Sequence, residues 1–205
     1  PTFEKAVLPN GLTVLAGQLD RLPIVAFQLV TRGGAALDPP EQAGLGSLVY
    51  AMLEEGAGER DALEFSDAVA DLGASFSTGG GKDRGAVTIS GLSRHAGDLV
   101  SLLADAVRRP TFAPADLERR RAQTVASLQA QLGSPLGLAF LKLPALVYGE
   151  DHPLGHPSTG TLETIPTLDI EDVRAHHARL LAPTRSAFVA VGDVTLEEAV
   201  ELAKT

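Results

Sequence analysis

The stretch GLGSLVYAMLEEGAG, residues 44–58, carries the reading of the fold. Leu45, Leu48, Val49, Met52 and Leu53 recur at i, i+3, i+4, i+7 and i+8, the apolar stripe of one helix face, and Gly56 supplies the stop. With that stripe turned toward a core, Ser47, Tyr50, Ala51, Glu54 and Glu55 face elsewhere. Residues 47 and 51 then stand one turn apart on one face, a spacing that can carry two metal ligands. Glu54 and Glu55 have no base or metal beside them and read as a solvated helix end.

Upstream of this helix, FEKAVL, the PNG turn, LTVLAGQ and IVAFQLVTRGG read as three strands of a small antiparallel meander. Downstream, Asp61 and Glu64 form a capping box for a helix whose stripe is Phe65, Ala68, Val69 and Leu72, ended by Gly73. ASFSTGG and RGAVTISGL are two strands joined through GGKD. Helices follow at 96–108 (Leu99, Leu102, Leu103, Ala106), at 114–132 with Pro114 in its first turn, and at 137–148. Beyond the loop GEDHPLGHPSTG, a helix over 169–181 carries Ile170, Val173, His177 and Leu180 on one side. The strand SAFVAV then runs to Gly192-Asp193, and TLEEAVELAKT begins a last helix. Strands arrive in adjacent pairs rather than singly between helices, which predicts an α+β class: a mainly antiparallel sheet with helices packed on one face. At 205 residues and 44% hydrophobic content, residues 1–205 are expected to form one domain.

Seventeen basic against twenty-six acidic residues give a net charge of -9, which opposes phosphate neutralisation, so nucleic acid is not an expected partner. The absence of cysteine removes disulfides, thiolate nucleophiles and Cys-ligated zinc from consideration and leaves the compartment open. No apolar run approaches the roughly 18 residues of a membrane span. The opening PTFEKAVLPNG reads as folded-domain sequence rather than as a leader.

GLGSLVYAML with its EGA turn resembles the Gly-Leu-Ala-His-x-x-Glu-His-Met-Leu and Gly-Thr segment of the pitrilysin/insulinase/mitochondrial-processing-peptidase family. LPNGLTVL, TRGGAALDPPEQAGL, LGASFST, LADAVRRPTF, HPLGHPSTGT and VAVGDV follow in the family's order, from about Phe3 to Val194. The resemblance implies a processing-peptidase-like metallohydrolase domain. In active members the two histidines bind zinc and the glutamate activates the attacking water. Those positions fall here on Ser47, Tyr50 and Ala51, and the third ligand, a glutamate in a later helix, falls on Ser127 or Leu128. Serine is a poor neutral ligand, alanine has no donor atom, and a tyrosine phenol is a poor base at neutral pH. No catalytic or metal-binding residue is therefore expected in this domain, and zinc is expected in a catalytic partner.

The resemblance further implies a non-catalytic subunit domain that partners a homologue carrying His-x-x-Glu-His and helps enclose an unfolded peptide. It would be the first half of a two-domain subunit or a fragment of a longer chain, its second domain supplying an arginine and a tyrosine that orient substrate. In relatives the strand matching Ala74, Ser75, Phe76, Ser77 and Thr78 lies at a sheet edge, where an extended peptide can pair through its backbone. Two other readings stay open: an active metallopeptidase with displaced ligands such as His152 and His156, and a purely architectural subunit. The HPLGH spacing contains proline and glycine and does not set His152 and His156 on one helix face. His177 reads as a hydrogen-bonded, partly buried residue and its neighbour His176 as non-catalytic. STGGGKDRG lacks the first glycine and the Ser/Thr of a phosphate loop and reads as a hairpin.

Overall fold

The computed structural model describes residues 2–150 and 152–205; Pro1 and Asp151, the latter within the 149–160 loop, lie outside the described residues. The chain opens with β1 (Glu4–Val7), β2 (Thr13–Gln18) and β3 (Ile24–Arg32). Helix α1 (Leu45–Met52) follows, then the short pair β4 (Gly56–Ala57) and β5 (Arg60–Asp61) and helix α2 (Ala62–Asp71). The hairpin of β6 (Ser75–Gly80) and β7 (Arg84–Leu92) leads into α3 (Ala96–Arg108), α4 (Pro114–Leu132) and α5 (Pro135–Tyr148). The chain continues through α6 (Ile170–Leu180), β8 (Ser186–Gly192) and α7 (Leu196–Leu202).

Six strands form one sheet in the order β1-β2-β8-β3-β7-β6, antiparallel throughout except for β2 against β8. The expected α+β architecture is present. Side-chain alternation turns Val14, Ala16, Val25, Phe27, Val87, Ile89, Phe188 and Ala190 to the one face that the helices cover, where all are buried. Phe27 and Phe188 stack at 5.6 Å across β3 and β8. The opposite face, with Ala26, Gln28 and Val30 of β3, is only half covered.

The opening strands do not form the three-stranded meander that the sequence suggests. β1 and β2 pair as a hairpin, but β8 comes between β2 and β3 and bonds to both. The reason lies in the apolar run SAFVAVG. Such a run suits an interior strand, since at an edge its apolar residues and unpaired backbone would invite pairing with another chain. The end of β8 is stitched in on each side, with Leu19 N–H donating to Gly192 O (2.7 Å) and Asp193 N–H to Ile24 O (2.9 Å).

The predicted capping box is formed: Asp61 accepts from the N–H groups of Leu63 and Glu64, and Glu64 accepts from Asp61 N–H. Two further boxes start α6 at Asp169 and α7 at Thr195. No single helix among the described residues is long and apolar enough to cross a membrane; α4 and α5 meet at a break of 103°. Helix α5 buries none of its residues fully and leaves Phe140, Leu146 and Val147 exposed.

Gly192 holds φ +126°, and a Cβ there would drive into the Ile24 carbonyl where β8 closes on β3. Replacing Gly192 with alanine should cost at least about 2 kcal/mol, from backbone strain plus overpacking. A lowered urea midpoint with unchanged slope would register that loss, and an unchanged midpoint would contradict the stitched-centre account.

Candidate functional site

Helix α1 is the centre of the region because it touches β6, β7, α4 and α6 at once. Its start is fixed by Asp38, whose fully buried carboxylate accepts from the N–H groups of Gly44 (3.0 Å) and Gly46 (2.9 Å). An anion at a helix start satisfies N–H groups that have no partner within the helix and complements the helix dipole. His176 of α6 brings Nε2 within 3.0 Å of the same carboxylate. His176 is therefore buried at a structural anchor, and its role there is to pack α6 against the entry of α1.

The three positions matching the zinc motif do not share one exposed face. Ser47 is half-buried and donates from Oγ to Ser158 O at 2.7 Å, fastening the 152–160 loop over the helix. Ala51 is half-buried and has no donor atom. Tyr50, expected away from the core, is 1% exposed, and its hydroxyl bonds to the Thr31 hydroxyl of β3. The register explains the difference. Thr31 pairs with Gly85, and Gly85 with Gly80, so a row across β3, β7 and β6 has two positions without side chains on the helix side. The tyrosine ring lies in that gap: a Cβ at Gly80 would come within 2.6 Å of its Cδ2, and one at Gly85 would enter the ring end. Burial pushes the phenol above its usual range, against the smaller opposing effect of the Thr31 hydrogen bond. On α4, Leu128 is buried in the core, while Ser127 is exposed and accepts from Gln131 Nε2 at 3.3 Å.

This donor set does not fit a divalent zinc ion. One hydroxyl is already committed to a carbonyl and another to a buried partner threonine, and the remaining two positions offer a methyl group and either an isobutyl group or an outward serine. The displaced pair fares no better. His152 is exposed, stacks on Tyr148 at 5.4 Å and accepts at Nδ1 from Leu154 N–H. His156 turns both ring nitrogens inward, where neither has a hydrogen-bond partner among the described residues. Among the described residues no three His, Asp or Glu side chains converge in a metal-holding arrangement. Burial depresses the His156 pKa, with Lys82 reinforcing that and Asp38 opposing it.

Contrary to the sequence reading, Glu55 after the end of α1 is buried and Glu54 is only partly solvated. Glu55 is 4% exposed and is held by Arg119 and by Arg120 Nε, both near the start of α4. Glu54 accepts from Thr78 N–H of β6 (3.1 Å) and from Arg120 Nη2 (3.1 Å). The local pattern cannot show this, because the partners lie some 65 residues downstream; the run RRR at 119–121 was the only available signal.

Sheet order places β6 at an edge. The strand begins at Ser75, not Ala74, whose N–H instead donates to Val69 O in the turn after α2. Ser75 and Ser77 face outward, while Phe76 and Thr78 face the helices, Phe76 in an edge-to-face contact with Phe65 at 5.1 Å. GGKD forms the expected hairpin, and Lys82 Nζ donates to the Leu154 and His156 carbonyls at 2.7 Å each, so it serves the neighbouring loop. His177 is hydrogen-bonded as expected, Nε2 lying 2.8 Å from Val107 O.

A model of the family described as Insulinase (Peptidase family M16) matches residues 14–158. An uncharacterized zinc protease of Rickettsia felis is 25% identical over 169 residues, 82% of this chain and 41% of that protein. The non-peptidase homolog YmxG of Helicobacter pylori is 24% identical over 177 residues, 86% of this chain and 41% of its own. Among solved structures, a peptidase M16 inactive domain from Pseudomonas fluorescens superposes with a TM-score of 0.93 at 29% identity, covering 99% of this chain and 49% of that one. The chain thus spans less than half the length of these relatives.

Burial alone would raise the Glu55 carboxyl, but hydrogen bonds and charge from Arg119 and Arg120 outweigh it and hold the pKa below the ordinary 4.5. A depressed folded-state value contributes stability above the unfolded value and loses it as pH falls through the folded one. Glu55→Gln should cost about 2 kcal/mol at neutral pH, allowing for the partly exposed arginines. The deficit should shrink as pH falls below 4.5, toward and past the depressed folded value, in chemical denaturation followed across that window; a deficit independent of pH would refute the ion-pair assignment.

Proposed function

This chain belongs to the insulinase family of peptidases, peptidase family M16, and from that premise we propose that the domain has kept the family's scaffold while giving up its metal chemistry. It acts as a non-catalytic subunit domain that pairs with a catalytic homologue carrying His-x-x-Glu-His. Together they enclose an unfolded peptide, and zinc resides in the partner. The observation that carries the reading is Tyr50. The residue standing where active members have their base is locked inside the sheet on Thr31, with burial raising the pKa of its phenol, so it is neither placed nor charged to activate water.

Further support comes from Ser47 and Ala51 at the ligand positions and from the buried Leu128. Two similar proteins are themselves named as an inactive domain and a non-peptidase homologue. Relatives more than twice the length of the matched segment fit a two-domain subunit of which this is the first domain. Peptide contact in this reading falls on the β6 edge, at Ser75 to Thr78, where backbone groups suffice and no catalytic side chain is needed. An active enzyme with displaced ligands would need His152 and His156 to converge, and the two rings occupy different environments.

Cleavage of an unstructured fluorogenic peptide by the full-length protein, alone and mixed with an intact His-x-x-Glu-His homologue from the same organism, tests the proposal. Expected is no zinc-dependent turnover alone and at least a tenfold rise in the homologue's kcat/KM on mixing. Turnover by the protein alone that chelator abolishes and zinc restores would overturn it. Absence of any effect on the homologue would leave only an architectural subunit.

A further inference from the structure

The β6 edge is not bare. The hairpin is closed by Gly81 N–H donating to Arg84 O (2.7 Å), which sets the phase of the ladder. Antiparallel pairs alternate between bonded and non-bonded, so Phe76, Thr78 and Gly80 turn their backbone groups away from β7, the direction in which a further strand would be added. Thr78 is the middle of those three, and its N–H already points at Glu54 Oε1, 3.1 Å away. The Thr78 hydroxyl lies 2.7 Å from Tyr50 O and 3.1 Å from the same Glu54 oxygen. Glu54 is held in turn by Arg120 Nη2 through its other oxygen.

We propose that Glu54 is a built-in competitor for the peptide-binding edge: its carboxylate occupies the Thr78 amide that an added strand must use, and peptide binds only by displacing it. This inference rests on the edge-binding reading above and adds its regulation. A carboxylate accepts a hydrogen bond about twice as strongly as a neutral carbonyl, so the incoming backbone replaces a stronger acceptor with a weaker one. Displacement is nevertheless feasible because Glu54 remains partly solvated, its side chain 36% exposed, and keeps Arg120 as a counter-charge when it swings out. The arrangement also accounts for an edge strand that carries no proline or lysine of its own between Ser75 and Gly80. A charged side chain laid over the central amide blunts the edge against indiscriminate pairing. Arg120 bonds Glu55 as well, so the competitor is anchored to the same α4 residue that secures the end of α1.

The test measures binding of a fluorescein-labelled peptide of alternating valine and serine, and of the same peptide N-methylated at every residue so that neither of its edges can pair, by anisotropy with the full chain. Glu54→Ala should tighten binding of the unmethylated peptide about tenfold, the difference between a charged and a neutral acceptor. Glu54→Gln, which keeps the shape, should fall between, and the methylated peptide should bind neither variant nor the parent. Equal affinity of parent and variants for the unmethylated peptide, with the methylated one still rejected, would overturn the competitor and leave edge binding standing. Failure of every protein to bind the unmethylated peptide, or indifference to methylation, would overturn edge binding itself and the competitor with it. Amide exchange at Thr78 gives a readout that needs no peptide: it should be protected in the parent and faster in both variants, and equal rates would refute the contact.

Discussion

The seat of Tyr50 in the sheet is the constraint on which the rest of the structure depends. A tyrosine ring can lie flat against three strands only where two consecutive cross-strand positions lack side chains, and Gly80 and Gly85 provide that gap beside Thr31. A buried hydroxyl without a partner would cost about 1–3 kcal/mol, so Thr31 is as necessary as the glycines. Once the ring is in place, α1 is pinned to β6 and β7, and both of its ends are set: the start by Asp38, the finish by Glu55 with Arg119 and Arg120. The same packing withdraws the one ionisable side chain of the motif positions from any surface where water could meet a substrate.

Much of the architecture was legible. The five apolar positions of α1, the capping box at Asp61, the stripe of α3 and the entry of Pro114 into α4 all follow from local rules, and each is found where the pattern sets it. The misreading of Tyr50 has a definite physical origin. A single apolar stripe describes a helix with one buried side, but α1 is enclosed by the sheet, α4 and α6, so residues off the stripe are buried too. The composition LGSLVYAM, apolar nearly all round, is the mark of such a helix, and it is written in the sequence itself. Glu55 is different. No local rule could pair it with arginines on α4, and a carboxylate next to another carboxylate reads as surface until its partners are in view.

The β-sheet shows the same division. Which residues form strands came from alternation and turn chemistry, but the insertion of β8 between β2 and β3 depends on contacts more than 150 residues apart. A strand near the end of the chain that pairs with two early strands makes the centre of the sheet a non-local feature, which no local sequence pattern specifies. At the other edge, β6 has no further strand beside it among the described residues, and its central amide is taken up by the Glu54 side chain instead.

The most direct measurement is anomalous diffraction at the zinc edge from crystals of the full-length protein grown with excess zinc. The account predicts no peak in the space bordered by Ser47, Ala51 and the α4 turn around Leu128. A fully occupied site there, coordinated by side chains of this domain with an open position for water, would contradict it.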